Sequence, residues 1–352
     1  MLTRRQVLRV GLTAGLAGSL PACVKLKDLQ PECPIDWAPS VIAPVFYGFR
    51  DYTRPDMRVY FPSLDGSPQH AAFLLKCERF PLVIFIHGDC GGDPFQQWIS
   101  LPSQLARSGY VVAVTRFGGV PATGDPATSA PLRDVHDFLR NTWEFRERLM
   151  PAPHTAVVGH SFGGTLAAQL ASEIPVAALA SLSGAFGQAQ SPVPLLSSIR
   201  VPSLFLWNKQ DDATLGAELD SGGMWAAVSP TKHGVIFKDG NHGDYMSATV
   251  PGCSQQSNCG LVRPLGTDFV TTFLSKYLRP EFAFTAFTWI PDSLVVRPQE
   301  LPQPPANGFY AGSFLLGMDA SKQVASKPSA PCSQEIRWHT ATSTGTTFLV
   351  PA

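Results

Sequence analysis

The first stretch of the chain that could do chemistry is AVVGHSFGGT, residues 156–165, where one serine stands between two glycines after a short apolar run. Ser161 lies two positions after Gly159 and two before Gly163. A sharp strand-to-helix turn with this spacing holds the serine in strained backbone angles, and a Cβ at either flanking position would clash. The spacing therefore predicts a nucleophilic serine, which needs a base to take its proton.

Two later stretches supply an acid and a base in the chain order Ser, Asp, His. His242 lies in KDGNHGDYM, directly after the last strand-like run and before a glycine. The acid lies in LFLWNKQDDATL, where Asp211 and Asp212 are adjacent and one residue of loop slack would exchange them. Whichever is used should accept a hydrogen bond from the His242 ring and stabilise the imidazolium that forms when Ser161 loses its proton.

An alternation of strands and helices must position these residues. Apolar runs predict strands at MRVYFPS, PLVIFIHG, YVVAVTRF, TAVVGHS, VAALASLSG, VPSLFLWN and HGVIFKD. Helices are expected at about 96–108, over PLRDVHDFLRNTWEFRERLM (131–150), over GGTLAAQLASE and at about 266–278. The alternation predicts an α/β fold with a doubly wound, mostly parallel sheet.

With this motif, its flanking strand and helix, and the order of its partners, residues of about 55–280 resemble the α/β-hydrolase family. The resemblance implies the α/β-hydrolase fold and places the base at His242. Family members often carry the acid in the pattern Gly-x-x-Asp after a strand, so aligning Asn208 with that glycine points to Asp211, with Asp212 as the alternative. His160 is then simply the variable position of the serine motif.

The resemblance also implies an oxyanion hole made by two backbone N–H groups. Phe162 supplies the first, at the N-terminus of the helix that follows the serine. The second is expected from FIHGDCGG, where the family pattern makes Asp89 the first candidate and Cys90 the alternative, while His87 positions the loop. Because these donors are backbone groups, the identity of their side chains matters little.

The segment between the strand ending near Gly184 and the strand starting near Val201 is too short for the large helical cap of many lipases and dehalogenases. An open site is therefore expected, as in dienelactone hydrolases, chlorophyllases and cutinases. GHSFGG and HG also resemble platelet-activating-factor acetylhydrolases. Those enzymes carry the acid after the strand that follows the serine motif. The corresponding segment of this chain, SLSGAFGQ, contains no aspartate.

Composition bounds the remaining classes of protein. The 352 residues are 44% hydrophobic and 15% charged with zero formal net charge, which suits one sizeable α/β core with an appendage. Neither a cationic surface for nucleic acid nor histidines at metal-ligand spacing are present, so no nucleic-acid partner, metal or cofactor is expected. We divide the chain into an export or lipoprotein signal (1–23), a tether and entry to the fold (24–50), the hydrolase domain (51–280) and an irregular or β C-terminal extension packed on it (281–352).

The N-terminus, MLTRRQVLRVGLTAGLAGSLPAC, has the basic head and mildly apolar middle of a targeting segment. TRRQVLR resembles a bacterial twin-arginine signal, and LPAC resembles a lipoprotein processing site at which Cys23 is lipidated. The alternative is an ordinary signal cleaved near Ala22. We expect an exported cell-envelope lipoprotein that meets the membrane only through Cys23. In that compartment Cys253 and Cys259 are the easiest cysteines to join in a disulfide.

These patterns together predict a serine esterase that cleaves small carboxylic esters through an acyl-enzyme, with Ser161, His242 and Asp211 as its triad. One alternative is a non-catalytic surface lipoprotein that keeps the hydrolase fold. Another is an amidase or acyltransferase that uses the same triad. The oligomeric state is left open.

Overall fold

A computed structural model describes residues 46–63, 68–69, 79–89, 91–208, 211, 224–229, 231–237, 240–247, 262–278, 336–342 and 345–349. All of these residues fall within one compact unit, Ala38–Ala352. In this part of the chain, no helix is both long enough and apolar enough to cross a membrane.

A single sheet lies at the centre of the unit. Its strands, within the described residues, are Phe46–Thr53 (β1), Asp56–Ser63 (β2), Leu82–Ile86 (β3), Val111–Thr115 (β4), Thr155–His160 (β5), Ala178–Leu182 (β6), Ser203–Asn208 (β7), Lys232–Phe237 (β8), Ile336–Thr342 (β9) and Gly345–Leu349 (β10). Their order is β1-β2-β4-β3-β5-β6-β7-β8-β9-β10. The strands from β3 to β8 pair in parallel, and antiparallel pairs flank them on both sides. The predicted α/β fold with a mostly parallel sheet is confirmed.

Helices cover both faces of this sheet. They are Pro94–Gln97 (α1), Ser100–Arg107 (α2), Pro126–Asp137 (α3), Phe162–Glu173 (α4), Pro192–Ser198 (α5), Met224–Ala227 (α6) and Val262–Leu278 (α7). Leu105 of α2 and Phe273 of α7 belong to the core on one face, and Leu132 of α3 and Leu166 of α4 belong to the core on the other. Strands β3 to β6 are buried along their whole length, which is why their sequences are uninterrupted apolar runs.

The predicted helix over 131–150 is wrong in its second half. Its apolar spacing is right, because Leu139 and Trp143 are fully buried. However, α3 gives way to a π-helical turn at Phe138–Thr142, and the chain leaves the helical path at Trp143 with a ψ of 133°. There the Trp143 indole N–H donates to the hydroxyl of Tyr52 on β1, with 2.7 Å between the two atoms. The contact with another element thus decides where the helix ends.

One further boundary differs from the sequence prediction. The helix expected at 96–108 is two helices, α1 and α2, because Trp98 adopts non-helical angles and its ring packs 4.6 Å from the ring of Phe85. Strand β1 begins at Phe46, within the 24–50 segment expected to lead into the fold, and pairs with β2 along its whole length.

The chain between β6 and β7 holds a 3₁₀ turn at Phe186–Gln188 and the short helix α5. A large cap is absent from this fully described segment, as its length predicts. At the other end of the chain, β9 and β10 extend the sheet.

Candidate active site

The serine of the G-x-S-x-G motif sits between the end of β5 and the start of α4. Ser161 has φ 58° and ψ −126°, a conformation that non-glycine residues rarely adopt and that costs about 1–3 kcal/mol. Its carbonyl oxygen accepts from the N–H groups of Gly164 and Ala185 at 2.9 and 3.0 Å, and its own N–H donates to Leu182 at 3.1 Å. These backbone bonds hold the strained turn in place.

The two glycines of the motif are required by close backbone contacts. A Cβ on Gly159 would lie 2.0 Å from the carbonyl oxygen of Gly163. A Cβ on Gly163 would lie 2.1 Å from the carbonyl oxygen of Ile86, the last residue of β3. Any side chain at these positions would push the turn away from the sheet, and the serine with it.

The predicted acid and base form a buried pair. The Nδ1 atom of His242 and the Oδ2 atom of Asp211 are 2.8 Å apart, and the two side chains are 4% and 1% exposed. Asp211 follows β7, and His242 opens a 3₁₀ turn after β8. The carboxylate accepts the proton of Nδ1, so the hydrogen bond leaves Nε2 as the nitrogen that can accept a proton.

The loop that carries His242 is shaped by its own side chains. The N–H of His242 donates to the amide oxygen of Asn241, and the N–H of Asn241 donates to a carboxylate oxygen of Asp244, both at 2.7 Å. The Asn241 side chain also accepts from the backbone N–H of Asp244, and this bond together with the one from the N–H of Asn241 to the Asp244 carboxylate forms a capping box at the start of the 3₁₀ turn. Asp244 therefore fixes the loop from within and does not compete with Asp211 for the His242 ring.

Asn208, the last residue of β7, connects the acid loop to the base loop. Its side-chain nitrogen donates to the carbonyl oxygen of Asn241 at 2.5 Å, and its side-chain oxygen accepts from the hydroxyl of Tyr245 at 3.2 Å. Its backbone oxygen accepts from the N–H of Asp211 at 3.2 Å. Sequence reasoning used Asn208 only to align the acid and missed this role, for which a buried amide at the end of an apolar strand is the available signal.

His160, expected only as the variable position of the serine motif, also contacts the base. The ring is 0% exposed and lies 4.6 Å from the ring of His242. Its Nε2 is 2.9 Å from the carbonyl oxygen of His242. Burial, and secondarily the neighbouring His242, lower the pKa of His160 to about 3, so the ring is neutral at ordinary pH.

The segment expected to complete the oxyanion hole runs beside the serine. A Cβ on Gly88 would lie 2.4 Å from the Cβ of Ser161 and 3.0 Å from its Oγ, so the backbone between His87 and Asp89 passes directly over the hydroxyl. Phe162 is the first residue of α4, and the first N–H groups of a helix have no partner within it. Phe162 thus follows Ser161 directly in the chain, and Asp89 follows Gly88, whose backbone lies against the serine.

His87 fixes that segment to the loop after β4. Its Nδ1 lies 2.6 Å from the carbonyl oxygen of Gly88, and its Nε2 lies 2.9 Å from that of Arg116. A neutral imidazole has one N–H and donates to one of these oxygens at a time. The backbone is close on the same side, since a Cβ on Gly118 would lie 2.5 Å from the His87 carbonyl oxygen. This placement matches the loop-positioning role expected for His87.

Several residues of the sequence prediction lie outside the described part of the chain: the alternative acid Asp212, the alternative oxyanion donor Cys90, and Cys23, Cys253 and Cys259. Their roles stay predictions. Where the structure does describe the chain, no group of three or more His, Cys, Asp or Glu residues is arranged to hold a metal ion.

Comparison with known proteins agrees with the topology. Residues 81–213 match the family model described as the alpha/beta hydrolase fold. The matched span runs from the start of β3 through Ser161 to the acid loop, and it ends before His242. A search of curated proteins found no match to this chain. The match and the sheet order together identify the fold as the α/β-hydrolase fold.

Proposed function

We propose that this protein is a serine hydrolase that cleaves carboxylic esters through an acyl-enzyme, with Ser161 as nucleophile, His242 as base and Asp211 as its partner. The observation that carries the proposal is the buried 2.8 Å hydrogen bond between His242 and Asp211, beside a serine held in strained backbone angles. A solvent-exposed pair of this kind would be ordinary. A buried one at the end of two parallel strands is the arrangement that orients a catalytic imidazole.

In the first half of the reaction, the Oγ of Ser161 attacks the ester carbonyl carbon while Nε2 of His242 takes the hydroxyl proton. Asp211 stabilises the imidazolium that forms. The N–H groups of Phe162 and Asp89 stabilise the negative oxygen of the tetrahedral intermediate, and each lowers the activation barrier by about 3 kcal/mol. The intermediate collapses when the C–O bond to the alcohol breaks and His242 returns the proton to that alcohol, which leaves the acyl group on Ser161.

The second half releases the acid by the same route. His242 takes a proton from a water molecule, whose oxygen attacks the acyl carbon. The ester bond to Ser161 then breaks, the proton returns to its Oγ, and the carboxylic acid leaves. The short segment between β6 and β7 supports an open site that admits a small-molecule ester from solvent. No cofactor is needed for any of these steps.

The test combines a fluorophosphonate probe, read by intact-mass spectrometry, with turnover of a short p-nitrophenyl ester. We expect one adduct on Ser161, and we expect Ser161→Ala to lose the adduct and about 10⁶-fold in kcat. Ser172→Ala is the matched control, because Ser172 is an exposed serine on α4, and it should keep both signals. A folded wild-type protein with neither adduct nor turnover would refute the proposal and favour a binding module with the same fold.

We further propose export and a lipid anchor at Cys23, on the strength of the TRRQVLR and LPAC segments. The test is the fractionation of cells that express the full chain. We expect the wild-type protein in the membrane fraction and Cys23→Ala in the soluble exported fraction. Equal partition of the two proteins would contradict the anchor.

A further inference from the structure

We infer that His160 is a positioning residue that sets the distance between the nucleophile and the base. This inference rests on the proposed function and adds a residue to its machinery. The backbone of His160 leads directly into Ser161, while its side chain bonds to the carbonyl oxygen of His242. One residue therefore touches both partners of the proton transfer, although 82 positions separate it from His242.

The hydrogen bond fixes the state of the His160 ring. A carbonyl oxygen only accepts, so the 2.9 Å contact with His242 places the proton on Nε2. Nδ1 is then an acceptor, and it is buried with no hydrogen-bond partner among the residues that the structure describes. Leaving a polar atom unsatisfied in the core is unfavourable, and an apolar side chain of similar size would avoid it. What a histidine provides here, and an apolar side chain would not, is the hydrogen bond to the carbonyl oxygen of His242.

Packing removes the freedom of the ring. Trp98 lies 4.9 Å from the ring of His160 on one side, and Phe85 in turn lies 4.6 Å from Trp98. The ring of Tyr245 meets His160 edge-on at 6.1 Å. These rings form a continuous column from the core of the sheet, through His160, to the ring of His242 at 4.6 Å. The carbonyl of His242 is thus held against a rigid support that also carries Ser161.

The charge state suits a support beside a base that becomes positive. His160 stays neutral because burial disfavours its protonated form. A neutral donor adds no positive charge 4.6 Å from the imidazolium that His242 forms during the reaction. A lysine or a protonated histidine at this position would oppose that step by charge repulsion.

The experiment compares variants that keep or lose the donor. In His160→Gln the amide nitrogen reaches about as far as Nε2, whereas His160→Leu has no donor. We measure kcat and KM with a short p-nitrophenyl ester and the rate of fluorophosphonate labelling of Ser161. We expect His160→Leu to lower kcat and labelling about 10- to 100-fold with KM changed less than about threefold, and His160→Gln to recover most of that loss. His233→Leu, another fully buried histidine, should keep its kcat and labelling rate.

His160→Asn keeps the test decisive if His160→Leu does not fold. Its amide is shorter and stops before the His242 carbonyl, so we expect it to behave like the leucine variant. Equal kcat in folded His160→Asn and His160→Gln, or in folded His160→Leu and wild type, would overturn the inference. A wild-type protein that reacts with the probe, together with either of these results, would leave the triad proposal intact and reject only the role of His160.

Discussion

The two halves of the candidate site are held in different ways. On the serine side, the parts are fixed by backbone against backbone, and a single added carbon at Gly88, Gly159 or Gly163 would overlap another atom. On the side of the acid and base, the parts are fixed by side-chain hydrogen bonds, chiefly from Asn208 and His160. Close packing allows the serine one position or none. Hydrogen bonds hold the acid and base more adjustably, and their strength depends on the protonation and orientation of each side chain.

The two ways of holding the site suit the different chemical roles of the serine and the histidine. The serine must occupy one strained conformation before any substrate arrives, and close packing enforces that conformation without a titratable group. The histidine must gain and lose a proton twice in each cycle. Neutral hydrogen-bonding partners can hold its loop through both charge states, which makes this half of the site the more adjustable one.

On the side of the acid and base, the largest effect should come from the acid itself. Asp211→Asn keeps the shape of the side chain but removes the charge that orients His242, so we expect kcat to fall about 10⁴-fold. The measurement is steady-state kinetics on a p-nitrophenyl ester. Asp212→Asn is the matched control and should keep its activity within about threefold, because the proposal gives Asp212 no part in orienting His242. The reverse result would move the acid role to Asp212.

On the serine side, Gly163→Ala tests steric positioning. Its new Cβ would lie 2.1 Å from the Ile86 carbonyl, so the turn must shift, and we expect kcat to fall about 10²–10³-fold and the free energy of unfolding to fall by about 1–3 kcal/mol. Gly124→Ala is the control, because φ there is +79° but no atom lies within 4 Å of the new Cβ. It should lose stability yet keep kcat, and equal kcat losses in the two variants would contradict steric positioning.

The polar half should also respond to acid. The pKa of His160 is about 3 in the folded protein against an ordinary value of 6.5, so the unfolded state takes up the proton first as pH falls. The stability that comes from the neutral ring is complete above about pH 6.5 and is lost as pH drops toward 3, which amounts to roughly 3 kcal/mol by pH 4. Urea unfolding at pH 7 and pH 4 measures it. His160→Gln cannot titrate and should lose less stability, so parallel losses in both proteins would count against this account.

The smallest effect should come from Asn208. Asn208→Ala removes the donor to Asn241 and leaves the Tyr245 hydroxyl without its acceptor, so we expect about 1–3 kcal/mol less stability and a kcat about tenfold lower. Tyr245→Phe removes only one of the two contacts and should cost less in both respects. Kinetics and thermal unfolding of the pair check the order. If Tyr245→Phe were the more damaging variant, the amide would not be what joins the two loops.

The same contrast explains how much could be predicted from the sequence. The fold was predictable because strands buried on both faces read as uninterrupted apolar runs, such as LVIFI in β3. The turn at Ser161 was predictable because only glycine tolerates such close backbone contacts. The residues that meet this steric requirement, Gly159 and Gly163, lie within the motif itself. Chain order and position after strands pointed to His242 and to Asp211 or Asp212, and the family pattern favoured Asp211.

The polar contacts could not be predicted in this way. Asn208 meets Asn241, and His160 meets His242, only because the sheet brings separate strand ends together. In the sequence alone, Asn208 looks like an ordinary strand end and His160 like the variable position of the serine motif. The break at Phe138–Thr142 was missed for a similar reason, because the apolar spacing continues through it and the contact that ends the helix comes from β1.

Strand β9 has a consequence for how the molecule behaves among its own copies. It pairs with β8 from Lys232 opposite Ala341 to Phe237 opposite Ile336, and so occupies the hydrogen-bonding edge that β8 would otherwise present. An open edge of this kind is a template on which another chain can add a strand. The C-terminal strands therefore shield from aggregation the strand that leads into the His242 loop, and a shortened chain would be expected to self-associate before it lost its active site.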